Sequence, residues 1–205
     1  MSTLSKKQII EESLSLFFKY GIKSVSMDDI SISIGISKKT LYQLFNNKEC
    51  LIESIIKGFI NKQDIEIKNV LDEDVDVIDK ILRIYSKILY HFKSCTPAFI
   101  YGLEKYYPEI FNLFVNFKKK QLLVIITYLL KQGRYEGIFR DDIDEKLIYE
   151  LHVNRLNSII YGLLLPDKRA GDPIYFEVLK ITLRGITTVK GHKILDKKLM
   201  NQSIY

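Results

Sequence analysis

The stretch from Ser26 to Phe45, SMDDISISIGISKKTLYQLF, leaves this chain little conformational choice. Ser26 is placed to cap a helix, and Asp29 three residues on completes a capping-box pattern. Met27, Ile30 and Ile34 then fall at i, i+3 and i+7, so that helix has one apolar face. Gly35, set between Ile34 and Ile36, supplies the positive φ that a tight interhelical turn needs, and Ser37 can cap a second helix. That helix, Lys38 to Phe45, turns Leu41, Leu44 and Phe45 inward. Lys38, Lys39, Thr40, Tyr42 and Gln43 stay outside, side chains suited to phosphates and base edges.

Extended by Gly21 upstream and by Lys48 and Leu51 downstream, this string resembles the DNA-binding segment of the TetR (tetracycline-repressor-like) family. The matching positions are Gly21, Ser26 where the family usually has Thr, Ile30, Gly35, Ser37, Thr40, Leu41, Tyr42, Phe45, Lys48 and Leu51. A glycine turn alone would be weak, since any αα-hairpin supplies one. Exposed Tyr42 and Lys48 are different, because core packing requires neither. Ser31 stands where the family usually has Ala, and Lys39 where Gly or Ala is common. The resemblance implies an all-α chain of about nine helices. Residues 1–48 would form a three-helix, helix-turn-helix DNA-binding domain and residues 49–205 a larger ligand-binding and dimerisation domain. The implied DNA-binding set is Ser26, Ser37, Lys38, Lys39, Thr40, Tyr42, Gln43 and Lys48. Within it Ser37, Thr40, Tyr42 and Lys48 serve phosphates, while Lys38, Lys39 and Gln43 serve base edges.

Charge agrees with an anionic partner. The 205 residues carry a net +6, and residues 1–48 hold seven Lys against four acids, a net +3. Such a balance is permissive only, because many basic proteins bind no nucleic acid. With 47% hydrophobic residues the chain can bury a sizeable core. Two cysteines and no leader-like N-terminus fit a cytoplasmic protein. The apolar runs 122–130 and 158–165 are far short of the ~20 residues that cross a bilayer.

Along the chain, Ser5 and Gln8 have capping-box spacing, and Ile9, Ile10, Leu14, Phe17 and Phe18 form a stripe ending at Gly21. Lys6 and Lys7 near its start either reach a phosphate or form a solvated end. Asn47 can cap a long helix from Lys48 towards Val70. Lys48 opposes the macrodipole there, and a phosphate would satisfy both the ammonium and the free amides. Further helices are expected over 76–93, from the break at Thr96 and Pro97, over 108–133, over 145–165, and over 172–190 between Gly171 and Gly191. Residues 133–144 read as a loop, and the tail from His192 as a possible short helix.

Between Tyr85 and Phe117 aromatics accumulate. Core packing explains aromatics at helical spacing, but an apolar pocket with a few hydroxyls has the same composition, and the resemblance implies a ligand cavity there. The candidate lining residues are Tyr85, Leu89, Phe92, Phe99, Leu103, Tyr106, Tyr107, Phe111 and Phe114, for a small apolar or aromatic effector. For dimerisation through the last two long helices the candidates are Asn154, Asn157, Ser158, Tyr161 and Gly162 on one and Leu179, Leu183, Gly185 and Ile186 on the other. The same faces could instead cover the protomer's own core.

Catalytic and metal patterns are thin. His91 and Cys95 share a helical face, but two ligands fall short of a zinc site. No glycine loop of a nucleotide site occurs, and no cofactor is expected. The implied function is a homodimeric repressor on a palindromic operator of double-stranded DNA, released by its effector. A helical small-molecule-binding protein that has lost DNA binding is the alternative. An enzyme acting on a lipid or aromatic substrate would have to work with His91, Glu104 and Glu109.

Overall fold

The computed structural model describes residues 5–92, 96–160, 172 and 174–201. Among them are ten α-helices: α1 (Lys6–Tyr20), α2 (Met27–Ile34), α3 (Lys38–Leu44), α4 (Lys48–Leu71), α5 (Val77–Phe92), α6 (Pro97–Tyr106), α7 (Pro108–Tyr135), α8 (Glu145–Ile160), α9 (Ile174–Ile186) and α10 (Val189–Asn201). None of these is long and apolar enough to cross a membrane. Caps set several starts as the sequence implies. Ser5 and Ser26 each form a complete capping box, with Gln8 and Asp29. Asn47 accepts from the Cys50 amide at 2.8 Å, and Thr96 from the Phe99 amide, with Pro97 at the first helical position.

The chain divides into two compact units. One comprises Met1–Asp64 and Ser94–Lys118, the other Ile65–Lys93 and Lys119–Tyr205. The first thus holds residues on both sides of position 48, together with α6 and the start of α7. In it Phe18 and Phe99 meet edge to face, centroids 4.7 Å apart, and the Thr96 hydroxyl donates to the Phe18 carbonyl. Gly102 lies 3.5 Å, measured from a built Cβ, from Ile22. Phe17, Ile30, Leu41 and Leu51 are fully buried in this unit.

In the second unit Leu82, Tyr175, Phe176 and Leu195 are among the most deeply buried side chains. The C-terminal helices depart from expectation. Instead of one helix ending at Gly191, the chain breaks at Thr187 and Thr188, and a tenth helix starts with Gly191 inside it. Tertiary pairing explains the break. Thr187 bridges Phe139, the Thr188 amide bonds the Ile138 carbonyl, and the Thr188 hydroxyl caps the Gly191 amide at 3.1 Å. A Cβ at Gly191 would lie 2.3 Å from the Ile138 carbonyl oxygen, so only glycine lets the loop lie this close. Leu44 also differs: it is 37% exposed, because the helix stops there and Phe45, in an extended backbone, takes the inward place.

Two glycines give opposite expectations for stability. Gly191→Ala gains up to ~1 kcal/mol of helix propensity, but the overlap with a backbone carbonyl outweighs it, for a net loss of about 1–3 kcal/mol. Gly58, exposed on α4 with nothing within 4 Å of a built Cβ, should gain by the same change. Urea unfolding of the two variants should shift in opposite directions.

Candidate nucleic-acid interface and ligand cavity

Gly35 adopts a left-handed conformation, φ 73° and ψ 34°. Its amide bonds the Ile32 carbonyl, and the Ile36 amide bonds the Ser31 carbonyl, closing the end of α2. Ser37 then starts α3, its hydroxyl accepting from the Thr40 amide at 3.0 Å and sharing a 2.8 Å hydrogen bond with the Thr40 hydroxyl. Leu41 and Phe45 seat α3 inward, at 0% and 2% exposure. Lys38, Lys39, Tyr42 and Gln43 are exposed on its outer side, and Thr40 is half-buried. The structure thus brings these five predicted residues together on one short helix.

Electrostatics differ among them. Lys38 pairs with Asp28 at 2.5 Å, with both side chains largely in solvent. Such a pair is worth at most about 1 kcal/mol and yields to a phosphate. Ser26 works as a cap: its hydroxyl and amide hold the Asp29 carboxyl below its ordinary range. Lys48 is half-buried. Its ammonium donates to the Ile22 carbonyl just beyond α1 and stands 5.7 Å from the Phe17 ring centroid. Burial pushes the Lys48 ammonium down from its ordinary value, and Asp29 opposes the shift.

The second unit contains a cavity of about 80 Å³, walled by α5, α7, α8, α9 and Phe139. Isoleucine and leucine dominate the wall. Of the nine residues expected to line a pocket, Tyr85 is on it. Leu89 is buried elsewhere in the same unit, and the Phe92 side chain lies outside the described residues. Phe99, Leu103 and Phe114 are buried in the first unit, where Phe114 stacks with Phe59 at 6.1 Å. Tyr107 and Phe111 are half-buried there, and Tyr106 is exposed with Lys23 over its ring.

The cavity's polar residues are not among those the sequence singles out. His152, Arg155 and Thr182 reach its wall alongside Tyr85. A signal existed: Ile148, His152 and Arg155 recur at i, i+4 and i+7, which sets a cation into an apolar helical stripe. His152 bonds the Ile148 carbonyl through Nδ1 at 2.9 Å. Burial, assisted by the Arg155 charge, pushes its pKa down to about 4, so the imidazole is neutral at pH 7.

His91 meets Glu66 at 2.6 Å, and Cys95 lies outside the described residues. Glu104 and Glu109 stand exposed on α6 and α7. Among the described residues no three His, Cys, Asp or Glu side chains group as metal ligands.

The buried His152 makes stability pH-dependent in a known direction. Between pH ~6.5 and about 4 the unfolded chain binds the proton and the folded chain does not, so stability falls as pH drops through that window, by roughly 2–3 kcal/mol from this group. In urea titrations from pH 7 to pH 4, His152→Gln should lose less stability than the parent chain. Equal losses would mean that the imidazole titrates normally in the folded state.

Residues 9–55 match the model of the bacterial regulatory proteins, tetR family. The HTH-type transcriptional regulator YvaF of Bacillus subtilis is 23% identical over 154 residues, covering 75% of this chain and 80% of that one. The HTH-type transcriptional repressor KstR2 of Mycolicibacterium smegmatis is 22% identical over 193 residues, covering 92% and 93%. The fold is that of the regulator FadR from Bacillus subtilis, solved in complex with stearoyl-CoA, with a TM-score of 0.68 at 17% identity over 89% of this chain and 100% of that one. With the capped α2–Gly35–α3 turn and its exposed lysines, these matches identify residues 9–55 as a tetR-family helix-turn-helix segment, in a chain similar over most of its length to HTH-type transcriptional regulators.

Proposed function

We propose that this chain is a cytoplasmic, homodimeric repressor whose α3 helices read a palindromic operator, and whose second-unit cavity takes an apolar effector that releases it. The observation that carries the reading is the outer face of α3: four exposed polar or cationic side chains on a helix whose inward residues are fully committed to packing. Residues 1–48 act as the reading head, with α6 of the same compact unit as its brace. Ser37, Thr40 and Tyr42 hold phosphates. Lys39 and Gln43 face base edges, joined by Lys38 once it leaves Asp28. Lys48 serves the head first by tying α4 to the Ile22 carbonyl, and a passing phosphate is its second contact.

Dimerisation is supported by apolar surface on α8 and α9. Leu147 and Leu151 are 56% and 52% exposed, Ile181 is 72% exposed, and a Cβ on Gly185 would meet nothing within 4 Å. Ile174, Ile181 and Gly185 share a helical face, open to a second copy as in a four-helix bundle. These residues differ from most of those the sequence suggests. Leu179, Leu183 and Ile186 are buried in the protomer's own core, and Tyr161 and Gly162 lie outside the described residues. An apolar effector is supported by the aliphatic wall of the cavity. The stearoyl-CoA complex of the similar FadR supports it by analogy.

DNA binding is tested with the fragment upstream of the chain's own gene. Lys39→Ala should weaken retardation by about 1–3 kcal/mol and relax base preference at one position per half-site, with little change in the slope of log affinity against log salt, because Lys39 faces a base edge and not a phosphate. Gln43→Ala should relax base preference at one position per half-site while leaving that slope alone. Retardation by the parent chain that is absent, or unchanged in Lys39→Ala, would remove α3 from the interface. For the dimer, Ile181→Glu should halve the mass measured in solution, and a parent chain that is monomeric at micromolar concentration would refute the assembly.

A further inference from the structure

The polar end of the cavity narrows its ligand to a chemical class, a step that rests on the effector-cavity reading. Arg155 is 9% exposed at the cavity wall. Its Nη1 donates to the Thr182 hydroxyl at 3.2 Å, and that hydroxyl passes its own proton on to the Val178 carbonyl at 3.1 Å. The guanidinium lies over Tyr85, 5.3 Å from the ring centroid, while the Tyr85 hydroxyl donates to the Tyr175 carbonyl. Nε and Nη2 of Arg155 are buried and have no hydrogen-bond partner among the described residues. No carboxylate of those residues forms an ion pair with it.

A buried cation in this condition is costly, because desolvation is uncompensated. Arg134 marks the contrast: its Nε is also unpartnered, but Nη1 has the Glu145 carboxylate at 2.6 Å. In Arg155 the two free nitrogens are the ones that make up the side-on edge of a guanidinium, with parallel N–H groups spaced for the two oxygens of one carboxylate. His152 is neutral and adds no second positive charge. One cation matches a monoanion, whereas a phosphate monoester would bring a charge of about −1.5 to −2.

We propose that the cavity binds an apolar molecule ending in a carboxylate, which Nε and Nη2 of Arg155 hold side-on while the chain lies along the isoleucine and leucine wall. Thr182 is then a positioning residue that fixes the plane of the guanidinium.

Calorimetric titration of the full chain with decanoate, decan-1-ol and decyl phosphate tests this. Decanoate should bind at least about tenfold more tightly than decan-1-ol, the factor a charge-assisted pair of hydrogen bonds supplies. Arg155→Met should abolish that preference while still binding decan-1-ol, which also reports that the variant is folded. Arg155→Lys should keep only part of it, a point charge without the fork. Equal binding of acid and alcohol by the parent chain would overturn the inference and leave an apolar effector cavity standing, as would a preference that survives in Arg155→Met. Tighter binding of decyl phosphate than of decanoate would overturn the carboxylate assignment. Failure of all three probes to bind, and of butanoate, whose four carbons suit a cavity of about 80 Å³, would overturn the cavity reading with it.

Discussion

Everything the reading head does depends on the orientation of a seven-residue helix too short to hold itself together. An isolated helix of that length is unstable in water, so α3 (Lys38–Leu44) exists because its surroundings impose it. Three local constraints do so in series. The Ser26–Asp29 box fixes where α2 starts, Gly35 turns the chain in a conformation that costs other residues about 1 kcal/mol or more, and Ser37 fixes where α3 starts. Leu41 and Phe45 then anchor it. With Leu44 released to the rim and Phe45 turned inward, the outer residues carry almost no packing duty. Side chains that support nothing can be selected for what they touch.

The N-terminal segment through Leu51 was legible because local rules set it. Caps, a positive-φ glycine and an apolar period act over a few positions, the range in which a sequence can be read without knowing its fold. Thr187 and Thr188 show the opposite. Nothing local ends a helix there; the break comes from a bridge to Phe139, far back in the chain, and from a glycine that fits under the Ile138 carbonyl. The aromatic stretch misdirected attention for a related reason. Phe99 and Tyr85 look alike as members of an apolar stripe, but Phe99 packs on Phe18 in one unit and Tyr85 faces a cavity in the other. Only long-range packing separates a wall residue from a core residue of the same type.

Arg155 was visible in the sequence yet uninformative until its neighbours were known. A cation within an apolar helical stripe either snorkels to water or is paired. Among the described residues it does neither, and burial together with two unpartnered nitrogens is what the proposed carboxylate would answer. The aliphatic wall gives affinity with little discrimination, since added methylenes contribute in proportion to the area they bury. The guanidinium edge gives discrimination, because a neutral end group leaves the cation desolvated and unpaired.

The proposed release from DNA would need only a modest transfer of that energy. A coupling of about 1–3 kcal/mol changes operator affinity roughly five- to 150-fold, within what the neutralisation of a buried charge and the burial of a short alkyl chain supply together. The covalent route is available in α4, one uninterrupted helix whose residues Lys48–Asp64 belong to the first unit and Ile65–Leu71 to the second. Its first residue is Lys48, held to the carbonyl of Ile22 in the segment that joins α1 to α2. The ammonium that the family resemblance assigns to a phosphate is thus also the tie between the start of α4 and the junction of α1 and α2.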